Sequence, residues 1–237
     1  MQEISMIAET MLSHAQHRLR TTATNLANVQ TPGFKHMVSF AQADTSTANA
    51  LAAPQSLARV HFGSGQMSQT GRALDLALSG SGFFAVRNGD EVSLTRAGRF
   101  ERSAQGQLVT PQGHVLQASG GGDLLIGTGT IEVLPSGVLL EDGLPIGQIR
   151  IDHPVSTNDL VSAGGSLFQL AEGTQLDGSR QSEVQQGVLE TSNVSWGTEM
   201  TELMALQRQM EAGAQLVRAY DSLLGQAANR FATGGRR

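Results

Sequence analysis

Apolar side chains recur every three or four positions at the start of the chain: Ile4, Ile7, Met11, Ala15, Leu19, Ala23 and Leu26. This spacing lines one face of an α-helix and leaves His14, Gln16, Arg18 and Arg20 largely off the stripe. The helix is predicted over residues 3–28 and stops at Gln30-Thr31-Pro32-Gly33. Proline disfavours helical conformation in the residue before it, and glycine can turn the chain at positive φ. The same rhythm returns over residues 195–230, at Leu203, Leu206, Met210, Gly213, Val217, Tyr220 and Leu224. Alternating three–four spacing sustained over about three heptads is the seam of a coiled coil. Gly213 leaves a gap there that lets another backbone approach. A single amphipathic helix of this length is marginal in water, so each stripe needs an apolar partner and the other stripe is the obvious one. Even paired, two such helices leave apolar edges uncovered, which points to contacts with other chains.

Between the helices the pattern changes to short apolar runs broken by turns. Phe83-Phe84-Ala85-Val86 is followed by Asn88-Gly89-Asp90, a hairpin signal. Further strands are predicted at 91–95, 107–110, 114–117, 129–134, 137–141, 148–151 and 166–170. Turn signals separate them at Gln105-Gly106, Gln112-Gly113, Pro135-Ser136-Gly137 and Asp142-Gly143. Glycine follows the same division: of 28 residues, 23 lie from Gly33 to Gly187 and none precedes Gly33. From Lys35 to Arg59 the chain is rich in Ala, Ser, Thr and Gln without period and reads as an extended or flexible connector. The predicted fold class is α+β: long N- and C-terminal helices paired as a coiled-coil stalk, with a central antiparallel all-β domain. Residues 1–34 and 188–237 supply the terminal helical domain, 35–70 the connector and 71–187 the β domain.

Composition narrows the chemistry. The 237 residues carry 16 Lys+Arg against 21 Asp+Glu, a net charge of -5, so no basic face for nucleic acid or anionic lipid is expected. Cysteine is absent, which excludes disulfides, thiolate metal sites and cysteine nucleophiles. Nothing approaches 18 consecutive apolar residues, so no membrane insertion is expected. No cationic segment followed by an apolar core and a cleavage site is visible at the N-terminus, so no conventional secretory signal is expected there. His14 and His17 stand three apart on one helix, but no third histidine accompanies them, and a solvated helix face is the simpler reading. Ser79-Gly80-Ser81-Gly82 precedes a strand, whereas the serine of a nucleophile elbow follows one. Neither G-x-G-x-x-G nor a phosphate-cradling loop occurs. No catalytic residue, metal, cofactor or small-molecule substrate is therefore assigned. Asn193-Val194-Ser195 matches a glycosylation sequon, a tripeptide common by chance. Trp196 is expected as a packing anchor at the domain junction, and Glu199 and Arg208 as members of exposed ion pairs.

Three segments resemble the flagellar rod and hook protein family of bacteria. The first is Thr24-Asn25-Leu26-Ala27-Asn28-Val29-Gln30-Thr31-Pro32-Gly33-Phe34-Lys35. The second runs from Leu74-Asp75-Leu76-Ala77-Leu78-Ser79-Gly80-Ser81-Gly82-Phe83-Phe84-Ala85-Val86 through Leu94-Thr95-Arg96-Ala97-Gly98-Arg99-Phe100 to Gly106–Gly113. The third is Gln186-Gly187-Val188-Leu189-Glu190-Thr191-Ser192-Asn193-Val194, followed by Glu199-Met200 and Gln207-Arg208-Gln209-Met210-Glu211. Thr24 departs from the family pattern, where a second asparagine is common, and the start lacks the usual Ser-Gly pair.

The resemblance implies a non-enzymatic structural subunit of the basal-body rod, the shaft crossing the periplasm. Terminal helices would pair and stack into an inner tube with the β domain outward. The implied partners are copies of itself, other rod subunits (proximal and distal) and the flagellar export apparatus in transit. Size and the Leu-Asp-Leu-Ala block leave the proximal-rod and distal-rod types. A connector after Lys35 without an extended aromatic and glutamine-rich stretch, in a somewhat short chain, favours the proximal type, with the distal-rod type as the alternative. Outside the family, the alternative is a stalked carbohydrate-binding or hydrolase module. Assembly is expected to draw on Ile4, Ile7, Met11, Leu19, Asn25, Leu26, Asn28, Pro32, Gly33, Phe34, Met200, Leu203, Leu206, Met210, Val217, Tyr220 and Leu224. Asn25 and Asn28 would bond exposed backbone groups or a neighbouring subunit, or merely stop the helix. Pro32 and Gly33 would set the exit angle, and Phe34 would fill an apolar gap beside the helices. Gly80, Gly82, Phe83, Phe84, Arg96, Gly98 and Phe100 are the structural residues expected in the β domain, with one lateral contact from the Phe83–Phe84 pair.

Overall fold

The computed structural model describes residues 2–42, 55–171, 173–178 and 182–234. They fall into two units: a helical one from Met1–Ala27, Met37–Arg59 and Ser195–Arg237, and a β unit from Asn28–His36 and Val60–Val194. The class is α+β, with two α-helices and many short antiparallel strands among the described residues.

In the helical unit, α1 spans Gln2–Ala27 and α2 spans Trp196–Gly234. Ser195 stands where a cap belongs, because its carbonyl accepts from Glu199 N at 3.0 Å. Glu199 also places a carboxylate in the first turn, where the helix dipole favours negative charge. Within the stretch read as connector, Met37–Gln42 and Gln55–Val60 form a two-stranded sheet. Their alternation is weak, so this pairing leaves little trace in the sequence.

The largest sheet of the β unit runs through Leu160–Gly164, Leu167–Leu170, Glu91–Thr95, Phe83–Asn88, Val115–Leu116, Leu108–Val109 and Glu101–Arg102, in that spatial order. Ile151–Asp152 adds to it beside Phe84 and Phe83. A three-stranded meander comprises Ile131–Val133, Val138–Glu141 and Leu144–Gln148. Two further pairs join segments far apart in the chain: Leu76–Ser79 with Glu183–Gln186, and Met67–Gln69 with Val188–Glu190. The strand predicted at 148–151 is divided instead. Ile149 N bonds Gly137 O at 2.8 Å while Arg150 N bonds Gln117 O at 2.9 Å, so the chain passes from meander to sheet at this point.

Phe83–Val86 is a continuous apolar run because its strand is covered on both faces. Phe84 and Val86 join Leu76, Leu78, Phe100, Leu108 and Leu116 in the larger core, with the Phe84 and Phe100 rings 5.5 Å apart, edge to face. Phe83 and Ala85 face Leu94, Leu160 and Phe168 in a second core. Both phenylalanines are fully occupied inside the β unit, Phe83 at 2% and Phe84 at 0% exposure, so neither offers the lateral contact expected from sequence.

One polar hub braces the large sheet. The Asp123 carboxylate accepts from Arg87 Nε and Nη2 (3.0 and 2.7 Å), Gln107 Nε2 (2.7 Å) and Gln117 Nε2 (3.0 Å). Bonding to Arg87, then to Gln117, holds its pKa below the ordinary carboxylate value. A depressed carboxylate pKa stabilises the fold above the unfolded-state value, about 4, and that contribution is lost as pH falls through the lower folded-state value. Asp123→Asn is therefore expected to lower the melting temperature at pH 7. The difference from wild type should shrink below about pH 4 in thermal melts across pH. A gap that stayed constant down to pH 2 would count against the hub.

Candidate functional site

The inward face of α1 is formed by Ala15, Thr22 and Asn25, all buried, with Leu12, Leu19 and Leu26 half-buried. Met11 and Ala23 point outward, so the inward face keeps Ala15, Leu19 and Leu26 of the predicted stripe and adds the polar Thr22 and Asn25. Ala15 and Thr22 are small enough to allow close approach. On α2 the seam holds better: Leu206 is 1% exposed, and Met200, Leu203, Met210, Gly213 and Val217 are partly covered. Leu12 occupies the notch at Gly213, where an added Cβ would lie 3.2 Å from Leu12 Cδ2. The notch therefore receives a side chain rather than a backbone. The side chains of Ile4, Ile7, Tyr220 and Leu224 lie outside the described residues. Apolar surface remains open at Met11, Met204, Leu216 and Leu223, and Trp196, expected as an anchor, is 59% exposed.

Asn25 is fixed within the unit. Its side-chain amide donates to Met37 O (2.8 Å) and accepts from Met37 N (2.9 Å), pairing with both main-chain groups of one residue. It also donates to Glu199 Oε2 at 3.1 Å. Glu199 is thus buried against Asn25 rather than exposed, and an ion pair between the helices joins Arg18 to Glu202. Asn28 Oδ1 accepts from the Thr31 hydroxyl at 3.1 Å, within the turn that follows α1. His17 Nδ1 lies 3.2 Å from Ser39 Oγ. No group of three His, Asp or Glu among the described residues is placed to hold a metal ion.

The β unit closes on itself at its two chain ends. Gly33 takes φ +68, and its N–H donates to Glu190 O at 2.8 Å; a Cβ there would meet the Arg96 carbonyl carbon at 2.2 Å. Phe34 is 1% exposed and belongs to this unit, not to the helices as the sequence suggested. Lys35, the only lysine in the chain, is 2% exposed. Its Nζ lies 2.6 Å from Glu190 Oε1 and 2.9 Å from Gly63 O. Gly65 N donates to the same Glu190 oxygen at 2.8 Å, and Arg96 Nη1 stands 3.4 Å from the other. Arg96 also reaches Leu78 O and Gly80 O and lies over the Phe83 ring. Burial pulls the pKa of both cations down, and the attraction of Glu190 offsets this only in part. Next to the cluster, Asn193 accepts from His36 N (2.6 Å) and donates to His61 O and Gly63 O (2.9 and 2.8 Å).

Glu190 and Asn193 are the residues sequence reasoning passed over. Glu190 is 155 positions from its partner Lys35, so no local pattern reveals the pair. The usable signal was that a lone lysine follows a Pro-Gly-Phe turn. The remaining β-domain residues serve close packing. Gly98 lies against Leu76 O, and Gly82 donates its N–H to Ser182 Oγ at 3.0 Å. That hydroxyl is 2.9 Å from His153 Nε2. A Cβ at Gly82 would sit 2.8 Å from both atoms, so the strand entry lies directly on this polar pair.

Residues 7–35 match the family model for flagella basal body rod proteins, 77–167 that for the flagellar hook protein FlgE/F/G D1 domain, and 185–230 that for the flagellar basal body rod FlgEFG protein C-terminal region. A flagellar basal-body rod protein FlgF of Caulobacter vibrioides is 32% identical over 213 residues, spanning 85% of this chain and 86% of the relative. The chain belongs to the flagellar basal-body rod protein family. A FlgG of Bacillus subtilis is 30% identical over 253 residues, spanning 92% of this chain and 95% of that protein. A FlgF of Salmonella typhimurium is 29% identical over 234 residues, spanning 91% and 92%. Against these matches the ion cluster gains meaning: Lys35, Arg96 and Glu190 come one from each of the three family regions.

Proposed function

We propose that this chain is a structural subunit of the flagellar basal-body rod, of the proximal (FlgF) type. Its terminal helices would pair as a coiled-coil stalk and pack with copies of itself and with other proximal and distal rod subunits. It would reach the periplasm through the flagellar export apparatus. The observation that carries the subunit reading is the apolar surface left open on the helices at Met11, Met204, Leu216 and Leu223, in a chain of the rod family. Exposed apolar side chains along a helix pair favour burial against neighbouring chains. Alignment length supports the proximal type. The match to the Bacillus FlgG runs over 253 residues, more than the 237 of this chain, so that relative has stretches without counterpart here. The matches to the two FlgF proteins run over 213 and 234 residues against 85% and 91% of this chain, so those relatives have fewer residues without counterpart here.

The test is electron cryo-tomography of flagellar motors in cells lacking this chain, with complementation as control. A shaft that ends just beyond the inner-membrane ring is the expected result. A proximal shaft that persists while its outer part is missing would assign the chain to the distal type. An intact, rotating flagellum would overturn the rod role.

A further inference from the structure

We propose that Lys35, Glu190 and Arg96 form a buried latch that closes the β unit by tying its first segment, Asn28–His36, to its last, Glu190–Val194. The inference rests on the geometry within the β unit and not on the rod subtype. Two main-chain bonds run between the two ends, Gly33 N to Glu190 O and Asn193 N to Phe34 O, and Thr191 N adds a bond to Gln66 O. The His36 main chain is held through its N–H by Asn193 and through its carbonyl by His61 N. Glu190 stands at the centre, with one oxygen on Lys35 and Gly65 and the other toward Arg96. An uncompensated buried charge is costly, so losing Glu190, the one anion between two buried cations, disfavours the closed arrangement far more than losing an exposed ion pair. The latch makes the segment after the Thr-Pro-Gly turn an integral edge of the β unit. It also brings the unit's incoming and outgoing chain together at one place.

Lysyl endopeptidase reads the latch directly, because it can cut this chain at one position only, after Lys35. The full-length wild-type protein is expected to resist cleavage under native conditions. Glu190→Gln, which keeps the side-chain shape and removes the charge, should speed cleavage by about 100-fold. That cleavage should depend only weakly on urea, as local opening exposes little surface. Hydrogen exchange followed by mass spectrometry should show residues 33–36 and 190–193 losing protection together, while 83–95 keep theirs. A variant as resistant as wild type, or protection lost evenly across the β unit, would overturn the latch. If Glu190→Gln does not fold, the wild-type protein still decides: the amides of Gly33, Gly65, Thr191 and Asn193 must open with one common free energy. Unrelated opening rates at the two ends would refute it.

Discussion

Glu190→Ala is expected to destabilise the β unit by about 3–5 kcal/mol, a large share of the roughly 5–15 kcal/mol available to a domain. The substitution leaves Lys35 and Arg96 buried without their counter-ion and leaves Gly65 N without its acceptor. Attraction within the cluster is not what makes the loss large. Burial already works against both cations, so the intact cluster contributes little net stability over an apolar equivalent. A triple variant, Lys35→Met with Arg96→Met and Glu190→Leu, should therefore lose much less than Glu190→Ala alone. Urea denaturation of the full-length proteins measures both. If the triple variant lost more than the single one, the cluster would be a net source of stability and the account of its energetics would be wrong.

What the sequence made legible was local. The stops at Pro32 and Gly33, the long helix through Leu206 and the strand at Phe83 are each read from neighbouring residues, and the structure carries all three. Where periodicity erred, small polar side chains or distant partners decided. The inward face of α1 keeps Ala15 from the predicted stripe but adds Thr22, which a count of apolar residues leaves out. The ordered pair Met37–Gln42 and Gln55–Val60 has too little alternation to stand out. Asn25 could be picked as a hydrogen-bonding residue, but its partners Met37 and Glu199 follow only from the fold. Glu190 stood in the third family-like segment without a role, because the lysine it meets lies 155 positions away. The exposed apolar residues on α2 have the opposite character: they are visible in the sequence, and one chain leaves them uncovered.

Gly98→Ala is expected to be at least as damaging, at about 4 kcal/mol or more, for a reason that owes nothing to charge or backbone conformation. Gly98 does not adopt positive φ, so alanine fits its dihedrals. The obstacle is space: the added Cβ would lie 1.6 Å from Leu76 O. That carbonyl cannot retreat freely, because Leu76 N bonds Gly98 O at 2.8 Å and Phe100 N bonds Leu74 O at 3.1 Å. Between them Asp75 and Arg99 pair across the same two segments. Relieving the clash means separating these strands and pulling Leu76 and Phe100, 1% and 0% exposed, out of the larger core. Gly71→Ala supplies the contrast. Gly71 sits at φ +72 with nothing within 4 Å of the added Cβ, so only the left-handed penalty applies, roughly 1–2 kcal/mol. Denaturation midpoints of the two variants, measured alongside wild type, separate the effects. A Gly98→Ala protein no less stable than Gly71→Ala would mean that the contact between Leu74–Leu76 and Gly98–Phe100 yields easily and does not hold the core closed.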